Sequence, residues 1–190
     1  SPIIQSLTQL EHPRLREARD MGMKAMQALG MGTGFTHMEW FLTDSGEVVF
    51  GEIACRSPGA NMVDLMNYAG DVDLYAAWGE AIVHGRLPPL NLASRSAAIV
   101  FKRATGRGRI ARITGLRSFV ERYEPHIARI DLLPIGAPRR DWRQTFLSDG
   151  NVVVRHDAPE ETLKMARDAA RSIHLYAEEE QEKRTKLSSS

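Results

Sequence analysis

The feature that most constrains this chain is a pair of β-rich stretches on either side of a short polar connection. Gly34-Phe-Thr-His-Met-Glu-Trp-Phe-Leu42 and Val48-Val-Phe-Gly-Glu-Ile-Ala-Cys-Arg56 are dominated by β-branched and aromatic residues, and Thr43-Asp-Ser-Gly-Glu47 between them has turn composition. The pattern predicts an antiparallel hairpin. Side chains alternate between the two faces of a strand, so His37, Glu39 and Phe41 share one face of the first strand, and Phe50, Glu52, Ala54 and Arg56 share one face of the second. A four-residue loop, Asp44 to Glu47, pairs Thr43 with Val48, Phe41 with Phe50 and Glu39 with Glu52. Two carboxylates directly opposite each other destabilise a sheet, so a positive group is expected between them. Arg56 is one candidate. A divalent cation is the other, since paired carboxylates commonly hold Mg²⁺ beside substrate phosphates.

These residues resemble a known family. Gly34-Phe-Thr-His-Met-Glu39, the turn, and Glu52-Ile-Ala-Cys-Arg56 are similar to the metal-binding hairpin of the ATP-grasp superfamily, the ATP-dependent carboxylate–amine and carboxylate–thiol ligases. The resemblance implies that Glu39 and Glu52 ligate Mg²⁺ on ATP and that Arg56 contacts the phosphate that migrates to the substrate carboxylate. Many members carry Asn where this chain has Ala54; the carboxyaminoimidazole-synthetase branch resembles it in having Glu-Ile-Ala. Ser57-Pro-Gly-Ala-Asn61 then reads as a loop returning over the phosphate end, its glycine permitting close backbone approach. Ser57 is a substrate candidate. Asn61 is either a cofactor contact or the cap of the next helix, and His37 either a substrate contact or a hydrogen-bonded structural residue.

A family member would need a substrate-binding domain and a lysine-bearing lid upstream of such a hairpin, and residues 1–32 supply neither. The expectation is the C-terminal part of a longer enzyme, inactive alone and partnered by its N-terminal part, with a homodimer left open. Gly30-Met-Gly-Thr-Gly34 follows a helix and precedes a strand, the reverse of a dinucleotide-binding turn, and reads as a helix C-cap.

At 190 residues the chain can hold one large domain or two small ones. Hydrophobic content of 43%, charged content of 26% and a net charge of +1 give no reason to invoke nucleic acid or an anionic membrane. The single cysteine excludes an intramolecular disulfide and fits a reducing cytosol; alternation turns Cys55 away from Glu52 as a small core residue. No apolar run reaches the length of a membrane span.

The fold class expected is α+β: an ATP-grasp C-terminal lobe of antiparallel sheet and packed helices over residues 1–88, then a small β-rich accessory domain over 89–190 closed by a C-terminal helix. Amphipathic spacing predicts a helix over Glu11–Leu29 packed behind the hairpin, and further helices over Met62–Ala69 and Val72–His84, the latter capped by Asp71. Leu87-Pro-Pro-Leu-Asn91 marks the boundary. Beyond it, Ala97–Phe101 and Arg109–Ile113 read as strands around a Thr105–Gly108 turn, with more strands over Ile127–Leu133 and Thr145–Arg155. Asp157-Ala-Pro-Glu160 opens the last helix, which ends in a charged tail over Glu178–Ser190. The basic run Lys102–Arg109 with Arg112 lacks interleaved aromatics and reads as a solvated hairpin tip. Trp142, in Arg139–Arg143, either anchors its loop or borders the site.

Three functions fit. One is an ATP-grasp ligase that activates a carboxylate as an acyl phosphate and couples it to an amine, such as an amino acid ligase. Another is a carboxylase of the biotin-carboxylase or carboxyaminoimidazole-synthetase type. The third is a non-enzymatic binding or oligomerisation module. The cofactors expected are ATP and Mg²⁺, the partners small-molecule carboxylate and amine substrates, and the location cytoplasmic.

Overall fold

A computed structural model of the chain describes residues 3–7, 15–87, 89–90, 95–141, 143–145 and 148–179. The first residues of the expected N-terminal helix, Pro88 and Asn91 of the Pro-Pro linker, Trp142 and the tail beyond 179 lie outside that range. The architecture is α+β, with five α-helices and nine strands among the described residues. The chain divides into two compact units, one of residues 1–5, 98–154 and 160–190, the other of 6–97 and 155–159.

The second unit holds α1 (Arg16–Ala28), the hairpin strands β2 (His37–Leu42) and β3 (Val48–Ala54), α2 (Met62–Gly70) and α3 (Leu74–His84). Ala18 and Gly22 are the buried positions of α1, one turn apart on the helix. Gly22 lies so close to Met38 that an added Cβ would sit 3.1 Å from that side chain's methyl group. The helix packs behind the hairpin, as its amphipathic spacing predicts. The Phe35 ring, at the entry to β2, stacks on Trp78 of α3 with centroids 6.0 Å apart.

Asp73, not Asp71, caps α3, accepting from the backbone N–H groups of Tyr75 and Ala76. Asp71 takes a left-handed backbone conformation at the end of α2 and is drawn into an ionic network instead. Its carboxylate receives Arg155 at 2.5 Å and Arg95 at 2.6 Å, and Arg95 also reaches Asp157 at 3.1 Å. That network binds segment 155–159 into this unit.

The other unit is built on a four-stranded sheet in the order β1 (Ile3–Leu7), β4 (Ser96–Lys102), β8 (Gly150–His156), β7 (Ile127–Leu132). The central strands carry most of the buried positions, including Ala98, Val100, Val152 and Val154. Met165, Ala166 and Ala169 of α5 (Pro159–Ser172) and Phe119 of α4 (Leu116–Tyr123) belong to the same core. A second sheet joins β5 (Thr105–Gly106), β9 (His174–Glu178) and β6 (Arg109–Thr114) in the order β5-β9-β6.

The expected pairing of 97–101 with 109–113 does not form: β4 and β6 belong to different sheets, and β6 pairs with β9. The last described element is thus a strand lying beyond α5. The expected strand from Thr145 begins at Gly150 instead, because Gln144 and Thr145 still donate back to the Asp141 carbonyl.

The basic run is solvated over residues 105–109 as expected, but it is not the tip of a hairpin between β4 and β6. Arg112 lies over the Tyr176 ring at 4.2 Å, a cation–π contact, and Arg109 donates to the Gly136 carbonyl. Lys102 is buried and donates to the Ala169 and Ala170 carbonyls at 3.2 and 2.9 Å, capping the last turn of α5. Burial lowers its ammonium pKa. Between that lowered value and the unfolded value of 10.5, the folded state releases its proton first. Stability contributed by Lys102 therefore grows with rising pH through that window and is lost as pH falls through the folded pKa. We expect Lys102→Met to cost about 1–2 kcal/mol at neutral pH through the two uncapped carbonyls. Denaturant midpoints of the two proteins should diverge further at pH 10.

Candidate functional site

The loop of the hairpin fixes the register of its two strands. Thr43 N–H donates to the Glu47 carbonyl at 2.9 Å, Gly46 N–H donates to the Thr43 carbonyl at 2.9 Å, and the Thr43 hydroxyl accepts from Glu47 N–H. This closes five residues, not four. Leu42 consequently partners Val48, Phe41 partners Val49 and Trp40 partners Phe50, so the expected Thr43–Val48 and Phe41–Phe50 pairs are off by one. Continued without interruption, that register would set Glu39 opposite Gly51 and Glu52 opposite Met38.

A β-bulge prevents this. The ladder shifts between Glu39 and Trp40, leaving Gly51 as the extra residue, and resumes with Glu39 opposite Glu52, Met38 opposite Ile53 and His37 opposite Ala54. Partners across an antiparallel pair share a face. Glu39 and Glu52 therefore project together, away from the side where Met38, Trp40 and Ile53 face α1 across an apolar cavity of ≈ 470 Å³. The opposed pair expected from regular alternation is present, but two offsets of one residue produce it.

Gly51 has no room for a side chain: a Cβ there would lie 2.8 Å from the Glu39 carbonyl oxygen. We expect Gly51→Ala to destabilise the protein by about 1–3 kcal/mol. Gly59→Ala is the control, since nothing lies within 4 Å of its Cβ position, and it should stay within roughly 0.5 kcal/mol of the parent. Equal denaturation midpoints for the two variants would show that the bulge is not held by this contact.

The strand ends at Ala54, so alternation does not extend to Cys55 and Arg56. Arg56 N–H folds back to the Ala54 carbonyl at 3.0 Å, and Cys55 is exposed, not a core residue. The Arg56 guanidinium donates to the Ser57 carbonyl at 3.1 Å and forms no ion pair with Glu39 or Glu52. Of the two positive groups expected between the carboxylates, the arginine is not the one that sits there. The side chain within ion-pair distance of Glu39 is instead His37, whose Nε2 stands 4.0 Å from Glu39 Oε1. Its Nδ1 is buried without a hydrogen-bond partner among the described residues.

The loop after Arg56 carries two consecutive left-handed residues, Ala60 at φ 51° and Asn61 at φ 58°. Asparagine tolerates this conformation; alanine does so at a cost of roughly 1–2 kcal/mol. The loop is held by Met62 N–H donating to Gly59 and Leu65 N–H donating to Asn61. Asn61 occupies the N-cap position of α2 without a side-chain capping bond, which leaves its amide uncommitted. Ser57 is half-buried beside it in sequence.

Two carboxylates are a small donor set, and among the described residues no group of three or more His, Cys, Asp or Glu converges on one point. The set nonetheless fits Mg²⁺, which is usually held by one or two carboxylates with waters and substrate phosphates completing its shell. Sequence reasoning missed Gly51. A lone glycine within a strand pattern signals a bulge or a close backbone approach, and Phe50-Gly-Glu52 carries that signal.

No protein-family model and no curated protein matches the chain. Solved structures do. The L-amino acid ligase from Bacillus licheniformis superposes with TM-score 0.70 at 18% identity, over 92% of this chain and 46% of its own. The N5-carboxyaminoimidazole ribonucleotide synthetase from Thermotoga maritima gives 0.65 at 21%, over 88% and 44%. The phosphoribosylglycinamide synthetase from Anaerococcus prevotii gives 0.66 at 13%, over 93% and 45%. The chain thus has the fold of the C-terminal portion of ATP-grasp ligases and spans less than half the length of these proteins. Among the described residues, no helix is long and apolar enough to cross a membrane.

Proposed function

We propose that the hairpin and the loop after it form the metal- and phosphate-binding end of an ATP-dependent carboxylate–amine ligase. The observation that carries this reading is the Glu39–Glu52 pair, held on one face by a bulge with no arginine or lysine paired to either carboxylate among the described residues. A cation would convert that repulsion into binding energy. Likeness of fold to an L-amino acid ligase over 92% of the chain supports an amino acid as the carboxylate activated.

In the reaction proposed, a carboxylate oxygen attacks the terminal phosphorus of ATP and ADP leaves. The amine then attacks the acyl carbon, phosphate departs and the nitrogen loses a proton. Glu39 and Glu52 would hold Mg²⁺, which when bound neutralises charge on the triphosphate. Both must stay ionised and carry no proton in the reaction. Arg56, exposed and tethered among the described residues only through Ser57, supplies a planar fork for phosphate oxygens. Asn61 offers an uncommitted amide for ligand oxygens, with Ser57 alongside. His37 Nδ1 would meet the substrate.

Titration with Mn²⁺, a paramagnetic stand-in for Mg²⁺, tests the reading on the 190-residue chain. Amide resonances of residues 38–40 and 51–53 should broaden first and saturably, with affinity near the millimolar range, because phosphate oxygens are needed to finish the shell. Broadening that persists in Glu39→Gln/Glu52→Gln would sink the proposal.

A further inference from the structure

We infer that the first unit carries an oxyanion site, a pocket of ≈ 530 Å³ lined by Arg107, Gly108, Arg139, Arg140, Asp141 and Arg143, and that it takes a phosphate group. Four arginines and one aspartate line the pocket, so basic side chains outnumber acidic ones. Asp141 is already engaged with the Arg143 N–H at 3.0 Å.

The arginines stand on fixed backbone. Asp149 is wholly buried and divides its carboxylate between the Ala104 N–H, at 2.8 Å, and the Arg140 N–H, at 2.7 Å. One side chain thereby anchors both segments that form the pocket. The second segment is also joined to β6 and its approach: Ile110 N–H donates to Ala137, Gly136 N–H to Ile110 and Arg139 N–H to Gly108. Gly108 itself, at φ 88°, lies so close to β9 that a Cβ would sit 2.3 Å from the Glu178 carbonyl oxygen.

Arg139 and Arg140 have donors to spare. Each presents five N–H groups. Arg139 spends one on the Gly106 carbonyl and Arg140 one on the Ser148 carbonyl, while Arg139 Nε is buried with no acceptor among the described residues. A buried, unpaired N–H on a cation is costly, and an oxyanion in the pocket would satisfy it. Tetrahedral phosphate, with several acceptor oxygens and a double negative charge, suits converging planar forks better than a halide or a single carboxylate. A purely bracing role for Arg139 and Arg140 accounts for one bond each and leaves the Arg139 Nε–H unexplained.

The site involves no residue of the hairpin, so its test is independent of the proposed ligase function. The 190-residue chain is titrated with inorganic phosphate and separately with glycerol 3-phosphate, and the Arg139 Nε–H resonance is followed by NMR. Saturable movement of that resonance is expected. Tighter binding of glycerol 3-phosphate would mark a phosphorylated metabolite as the occupant, and equal binding free phosphate. Arg107→Ala removes an exposed side chain with no partner among the described residues, so the fold should be unchanged. Binding should weaken about tenfold to a hundredfold, with partial recovery in Arg107→Lys. No saturable shift up to about 20 mM phosphate, or equal shifts in Arg107→Ala, overturns the proposal. So does an oligoribonucleotide that binds more tightly than either probe and displaces it, since the surface would then read a polymer backbone.

Discussion

Glu52→Gln in the ligase proposed here should drop turnover below detection, at least about a thousandfold or on the order of 4 kcal/mol, while leaving the fold intact. The substitution keeps size and hydrogen-bonding capacity but removes one of the two charges available to a cation. Its effect on stability separates this explanation from general damage. Glu52 is exposed and has no ion-pair partner among the described residues, and it stands opposite a second carboxylate. Neutralising it relieves cross-strand repulsion, so thermal unfolding should occur at the parent temperature or slightly above. Near-native turnover at saturating Mg²⁺ would make Glu52 a surface residue without a metal role. Lost turnover with a markedly lower unfolding temperature would point to the hairpin's structure.

Arg56→Lys should lower kcat by roughly ten- to a thousandfold, about 1.4–4 kcal/mol, with a smaller change in the KM for ATP. Lysine keeps the charge but not the planar fork that grips two oxygens at once. Arg56 forms no ion pair with the carboxylates, and its tether through the Ser57 carbonyl is one exposed hydrogen bond, so it is free to follow a phosphate as charge develops on it. An effect confined to KM would mean that Arg56 holds ATP equally in ground and transition states.

How much the residues alone disclose depends on the range of the interactions involved. The hairpin, α1 and α2 depend on neighbours within a few positions, and periodicity and turn chemistry located them. Sheet pairing in the first unit depends on residues far apart. Nothing near Ala97–Phe101 indicates that its partner strand lies at Gly150–His156 rather than Arg109–Ile113, and β5 exists only because β9 lies beside it. Two short elements escaped although their signals were present. Leu116, Phe119, Val120 and Tyr123 repeat at helical spacing in α4, and Leu175 and Ala177 alternate with less buried neighbours in β9. Asp71 had the composition of a cap, but Arg95 and Arg155, distant in sequence, claimed its carboxylate. At the candidate site the residue types were legible and their mutual placement only partly so. The loop is one residue longer than expected, and the hydrogen bonds of Thr43 decide that.

The bulge at Gly51 has a consequence for engineering this hairpin. It divides the ribbon into two blocks that run in different phase, a distal block from Trp40 to Phe50 and a proximal block holding Glu39, Glu52 and the residues beneath them. Phase errors introduced in the distal block need not propagate past the glycine, because a single flexible residue can absorb or release one step of the pleat. The tip, with its exposed Phe41, Val49 and Phe50, is therefore the natural cassette for loop libraries, length variation or grafted recognition sequences. Indels on the proximal side have no such buffer, and each would rotate a carboxylate from one face of the ribbon to the other.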